Sequence, residues 1–160
     1  MINAKDLRIG NYVMTNNKYF LSNEVEKILR ITNINELREY KDHKGNVTVY
    51  RLSDEFKDTF GLWLDYLEPI PITEDWLDRL GFGYNREHFN YSYIDETNGF
   101  ILTLENFNDN NTGNWSVTFE NLDDRSIGAI LCNCYFVHEV QNLIYSITKT
   151  ELVYNPKETI

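Results

Sequence analysis

Leu67-Glu-Pro-Ile-Pro-Ile-Thr-Glu-Asp-Trp-Leu-Asp-Arg-Leu-Gly81 decides how this chain divides. Pro69 and Pro71 lock their own φ and turn the residues before them away from helix, so the run up to Thr73 is extended. Thr73 then stands where an N-cap belongs. Glu74 and Asp75 fill the first turn, where the helix dipole favours negative charge. Trp76, Leu77 and Leu80 form an apolar stripe, and Gly81 closes the helix as a C′ residue. The stretch predicts a joint over 69–73. It separates a β-rich unit over 1–68 from an α+β unit over 74–155, with a tail at 156–160.

Upstream of the joint, Leu7-Arg-Ile-Gly-Asn-Tyr-Val13 places a glycine before a strand-like Tyr-Val pair. Residues 25–32 are rich in β-branched and apolar side chains, a pattern that fits a strand and also a short helix. Lys44-Gly45-Asn46 is a turn signal, and residues 47–52 alternate as a strand does. In Gly61-Leu-Trp-Leu-Asp-Tyr-Leu67, Leu62, Leu64 and Tyr66 alternate with Trp63, Asp65 and Leu67. Short strands with tight turns predict a small, SH3-like barrel.

Downstream, Phe89, Tyr91 and Tyr93 share one period-two face, Phe100, Leu102 and Leu104 another, and Trp115, Val117 and Phe119 a third. Asn98-Gly99 marks a hairpin. Residues 106–114 form a polar loop, and 127–136 suit a fourth strand. Residues 136–149 read as a closing helix. The order is helix, antiparallel sheet, helix, and the fold class is α+β with the helices on one sheet face.

Composition narrows the functions. The chain has 160 residues, 42% of them hydrophobic, with 11 Tyr, 9 Phe and 3 Trp, enough for a packed core. Net charge is −10, and it is uneven: residues 1–53 hold 9 Lys/Arg against 6 Asp/Glu (net +3), and residues 54–160 hold 6 against 19 (net −13). An acidic surface repels phosphate backbones, so non-specific nucleic-acid binding is not expected. Residues 54–78 carry 8 acids against Lys57 alone, a solvated face or a surface that imitates nucleic acid. The start lacks the apolar core of a signal peptide. No apolar run approaches the roughly 20 residues of a membrane helix. A soluble, cytoplasmic chain without membrane contact is the expectation.

The closing helix carries the best candidate site. At about 100° per residue, Val137, Val140, Leu143, Ile144 and Ile147 fall on one face, which is expected to pack on the second unit's sheet. His138, Gln141, Asn142 and Tyr145 cluster on another. These four either form a binding surface or tie the two units together. A catalytic role for His138 needs an orienting acid and a nucleophile beside it, and the sequence places neither there, so no catalytic residue is assigned. Cys132 and Cys134, two apart in a strand-like run, are expected to face the core with Ile130 and Phe136. With His43, His88 and His138 scattered, neither a metal site nor a cofactor is expected. Calcium loops, zinc-protease helices, nucleophile elbows and phosphate loops have no counterpart here.

Three segments, 7–11, 67–82 and 137–145 followed by Glu151-Leu152, recur in an order and spacing that resembles a family of short uncharacterised proteins from Bacteroidetes genomes, their phages and other mobile elements. The resemblance spans nearly the whole chain and implies an accessory protein with a host or phage partner, in the host cytoplasm if phage-encoded. The family's closing helix usually runs into a Leu-Thr-Gly turn, which Ile147-Thr-Lys-Thr150 replaces here. No activity or catalytic residues come with the resemblance. The leading expectation is a non-enzymatic binding or adaptor protein. The alternatives are an acidic nucleic-acid mimic, and a small-ligand binder or small enzyme centred on His138 and Tyr145.

Overall fold

The computed structural model describes residues 2, 4–16, 28–34, 45–51, 59–106, 114–124 and 128–155. The expected features at Lys44, His43, acids 54–58, loop positions 107–113 and the tail 156–160 lie outside them. Within them are ten strands in two antiparallel five-stranded sheets, two α-helices and two short 3-10 turns. The chain separates into two compact units. One comprises 1–70 with 137–142, and the other 71–136 with 143–160.

The first unit's sheet contains β1 (Tyr12–Thr15), β2 (Ile28–Ile34), β3 (Asn46–Arg51), β4 (Thr59–Trp63) and β5 (Leu67–Glu68), in the order β4-β3-β2-β1-β5. The stretch at 25–32 that fitted either period is therefore strand from Ile28 onward. Val13, Leu29, Ile31, Val47, Val49 and Leu62 point inward at period two and join Leu64 and Leu67 in one core. The expected single strand over 61–67 is interrupted. Leu64–Tyr66 is a 3-10 turn, anchored where the Leu64 amide donates to the Gly45 carbonyl at 3.0 Å. Three residues per turn put Leu64 and Leu67 on the same side, so both reach the core although alternation would have set them apart.

Helix α1 (Glu74–Arg79) begins as its sequence directs. The Trp76 amide donates to Thr73 Oγ1 at 3.3 Å, and Gly81 takes the left-handed φ of +89° that ends it. Trp76 and Leu77 are buried. Behind α1 comes a sheet of β6 (Gly83–Asn85), β7 (Asn90–Asp95), β8 (Phe100–Asn106), β9 (Trp115–Asn121) and β10 (Gly128–Cys134), in the order β10-β9-β8-β7-β6. Strand β6 was not foreseen, because three residues beginning at a glycine are too short to show a period. The turn at Asn98-Gly99 is present: Gly99 has φ +70°, and its amide donates to the Asp95 carbonyl at 2.8 Å.

Central β8 is buried on both faces, Phe100, Leu102 and Leu104 on one and Ile101 and Thr103 on the other. On the first of these faces Tyr91 meets Trp115 edge-on, with ring centroids 5.8 Å apart. Burial, and then the neighbouring Glu74 carboxylate, push the Tyr91 hydroxyl up to about 12. The segment after the closing helix docks on α1. Leu152 is buried, Tyr154 lies 5.3 Å from the Trp76 ring and accepts from Arg79 Nη1, and the Asn155 amide donates to the Arg79 carbonyl at 2.9 Å.

Strand β10 corrects the cysteine reading. A register shift falls between Ile130 and Cys132: Ile130 pairs with Thr118 and Cys132 with Val117, adjacent residues of β9. The extra residue breaks the period of two, so Ile130 and Cys132 no longer share a face. Ile130 is 76% exposed and Cys132 is exposed, while Cys134 is buried. The two sulfurs lie 3.8 Å apart and unbonded to one another covalently.

Candidate functional site

Helix α2 (Val137–Thr148) is continuous, with its first six residues in the first unit and the rest in the second. Val137 and Val140 are buried and counted with the first unit, Ile144 is buried and counted with the second, and Ile147 is exposed. The expected apolar face is thus buried at Val137, Val140 and Ile144 and open at Ile147.

Three of the four candidate residues lie in the first unit. Gln141 is 0% exposed. Its Oε1 accepts from the Tyr12 amide at 2.9 Å and its Nε2 donates to the Gly10 carbonyl at 3.2 Å. Asn142 Oδ1 accepts from Asn11 Nδ2 at 2.9 Å and from Arg8 Nε at 3.3 Å, and its Nδ2 donates to the Asp6 carbonyl at 2.7 Å. One buried amide thus closes a backbone donor and acceptor that the start of β1 leaves open, as buried polar groups require.

The same bonds explain Leu7-Arg-Ile-Gly-Asn11. Gly10 adopts φ +97°, open to glycine at little cost. Its amide donates to the Ile31 carbonyl at 2.8 Å, and the Ile31 amide donates to the Asn11 carbonyl at 2.9 Å. Asn11, fully buried, accepts the Arg8 amide at 2.6 Å through its own Oδ1. The segments 7–11 and 137–145 are therefore halves of one hydrogen-bonded lock, and Gln141 and Asn142 serve it.

His138 is 3% exposed. Burial pulls its pKa down, opposed by the nearby carboxylates of Glu139 and Asp6. An imidazole so placed is neutral near pH 7. A cavity of about 540 Å³ beside this region is lined by Lys5, Asp6, Leu7, Arg8, Glu139 and Asn142, and His138 is not part of its lining. Tyr145, in the second unit, is half-buried, with Lys149 Nζ 5.7 Å from its ring centroid. Lys149 itself takes φ +60° where the helix ends, the left-handed position that a glycine would fill in a Leu-Thr-Gly turn.

The second sheet carries two features that reasoning on the helix missed. One is a cavity of about 780 Å³ over the face of Asn90, Ser92, Thr103 and Thr118. The signal was present in the sequence: the same strands that alternate aromatics on one side alternate hydroxyls and carboxylates on the other. The second is edge strand β10, whose Ile130 and Leu131 are 76% and 40% exposed.

Among the described residues no three His, Cys, Asp or Glu side chains are grouped to hold a metal ion, and no helix is long and apolar enough to cross a membrane. No family model, curated protein or solved structure matches the chain.

Proposed function

We propose that this chain is a non-enzymatic binding protein, an adaptor of a bacterium or its phage, working in the cytoplasm on a host or phage protein. We further propose that its partner adds an extended segment along β10. The observation that carries the reading is the composition of that edge. Gly128–Cys134 reads Gly-Ala-Ile-Leu-Cys-Asn-Cys, seven residues without a charge and six of them exposed. It borders its sheet. An edge strand offers main-chain N–H and C=O groups at strand spacing, and another strand satisfies them best. Proteins that keep such an edge to themselves commonly place charge or proline on it, and this one places neither. In a chain of net charge −10, the neutral edge is where long-range repulsion of an acidic partner matters least.

Finer features of the fold agree with a scaffold of two recognition modules. The order β4-β3-β2-β1-β5, with a 3-10 turn just before β5, supports reading the first unit as a small SH3-like barrel. The sequence of elements from α1 through β6–β10 to α2 supports a helix–antiparallel sheet–helix unit.

Affinity capture from the lysate of a Bacteroidetes bacterium tests the proposal, using the wild-type chain beside an Ile130→Lys/Leu131→Lys variant. Both positions are exposed, so the variant should fold. A protein held by the wild type and reduced at least tenfold with the variant supports the reading. Equal retention by both, or none by either, contradicts it. A concentration-dependent dimer in sedimentation velocity, lost in the variant, reassigns the edge to a second copy of the chain.

A further inference from the structure

The face of the second sheet that carries its hydroxyls is built as a site. Ser92 pairs with Thr103, and Thr103 with Thr118, so three hydroxyl side chains form a row across β7, β8 and β9. Adjacent members of such a row stand about 4.8 Å apart. The row floors the cavity of about 780 Å³. Glu105 and Glu120 flank it at opposite ends. Ser116 pairs with Glu105, and Glu120 lies four residues further along β9, which separates the two backbones by roughly 14 Å. Ile94 and Ile101, which pair with each other, supply apolar surface in the same cavity.

The floor holds one buried acceptor without a hydrogen-bond partner. Asn90 is 7% exposed and lines the cavity. Its Nδ2 donates to Glu105 Oε1 at 3.2 Å, while its buried Oδ1 accepts nothing. A buried acceptor without a donor costs about 1–3 kcal/mol, so such groups normally have partners. The lining carries the carboxylates of Glu87, Glu105 and Glu120 against the guanidinium of Arg86 and the ring of His88, so with the Asn90 amide oxygen its acceptors outweigh its charged donors. The complementary ligand is a donor with positive charge. Metal ions are poorly matched, because no three ligating side chains converge among the described residues.

We propose that this concave face, between Glu105 and Glu120 over the Ser92-Thr103-Thr118 row, binds a linear polyamine. Each terminal ammonium pairs with one carboxylate, the hydroxyl row accepts from the inner amine, and the methylenes lie along Ile94 and Ile101. Aliphatic amines are protonated at neutral pH, and two separated carboxylates select a long dication over a monoamine. Ile130 pairs with Thr118 at the end of this row, so changes at Glu105 on β8, away from β10, separate this site from the proposed partner edge.

Isothermal titration of the full chain with spermidine tests the site, with butylamine and magnesium chloride as controls at matched ionic strength. Saturable one-to-one binding of spermidine is expected, at least tenfold tighter than butylamine. Glu105→Gln and Glu120→Gln should each weaken it at least tenfold, and Glu139→Gln, in the first unit, should leave it unchanged. Spermidine should also shift the amide resonances of Ser92, Thr103 and Thr118. Three outcomes overturn the proposal: no saturable binding at millimolar spermidine, equal displacement by magnesium, or weakening by Glu139→Gln as large as by Glu105→Gln. The Glu→Gln changes keep side-chain shape, and unchanged thermal unfolding of each variant separates loss of binding from loss of fold.

Discussion

At the residue scale, Gln141 is the fully buried side chain of the closing helix that closes two main-chain groups of the first unit. Its removal in Gln141→Ala takes away the bonds to the Tyr12 amide and the Gly10 carbonyl. Adding the space left by the lost side chain, the expected cost is on the order of 3 kcal/mol, read by chemical denaturation. A cost below about 1 kcal/mol would show that water replaces the amide. His138 makes a different prediction. Its folded pKa lies below the ordinary 6.5 because burial disfavours the imidazolium. As pH falls, the unfolded chain takes the proton first. Stability owed to the neutral imidazole is therefore complete above 6.5 and declines as pH falls through that value. The thermal midpoint should drop between about pH 7 and about pH 5, and His138→Gln should flatten that part of the curve. The sequence placed Gln141 and His138 on a polar helix face. It did not show that both are buried, because helical periodicity fixes direction around an axis and says nothing of what lies there.

At the element scale, α1 and β10 mark the two extremes of what a sequence discloses. For α1, cap, dipole and stop signals all sit within nine residues, and the helix follows them. Thr73→Ala removes the bond to the Trp76 amide and should cost about 1 kcal/mol, measurable as a lowered denaturation midpoint with an unchanged slope. A neutral result would mean that packing of Trp76 and Leu77 alone sets the start of the helix. For β10, alternation pointed Ile130 and Cys132 to one side, and a single extra residue put them on two. A bulge is a property of pairing between strands and leaves no local mark on composition. The 3-10 turn at Leu64–Tyr66 escaped for the same kind of reason, since its anchor is the carbonyl of Gly45, nineteen residues earlier.

At the scale of the whole molecule, the boundary at the proline joint is only one of the places where the chain changes unit. The first unit takes in 1–70 and also Val137–Asn142, from the far end of the sequence. Val137, Val140 and Gln141, all buried, belong to that addition. The fragment 1–70 should accordingly fail to fold alone, giving a collapsed amide proton spectrum, and a fragment spectrum as dispersed as the intact chain's would contradict this. The consequence for the joint is physical. Two prolines set the local conformation at 69 and 71, but membership in a compact unit is settled by which surfaces a returning segment can bury.

The sequence by itself determined the features whose causes are local. These are the extended proline run, the capped α1, the turn at Gly99, most of the described strand positions and the uneven charge. Each follows from φ limits, capping chemistry or side-chain period within a few residues. The tertiary structure alone decided that the Leu7–Asn11 segment and the closing helix form one lock. It also decided that Ile130 and Cys132 part across a bulge, and that the hydroxyl side of the second sheet closes into a cavity beside the unpaired Asn90 Oδ1. Those outcomes depend on groups more than a hundred residues apart, or on register between strands, and only the folded chain brings them within hydrogen-bonding distance.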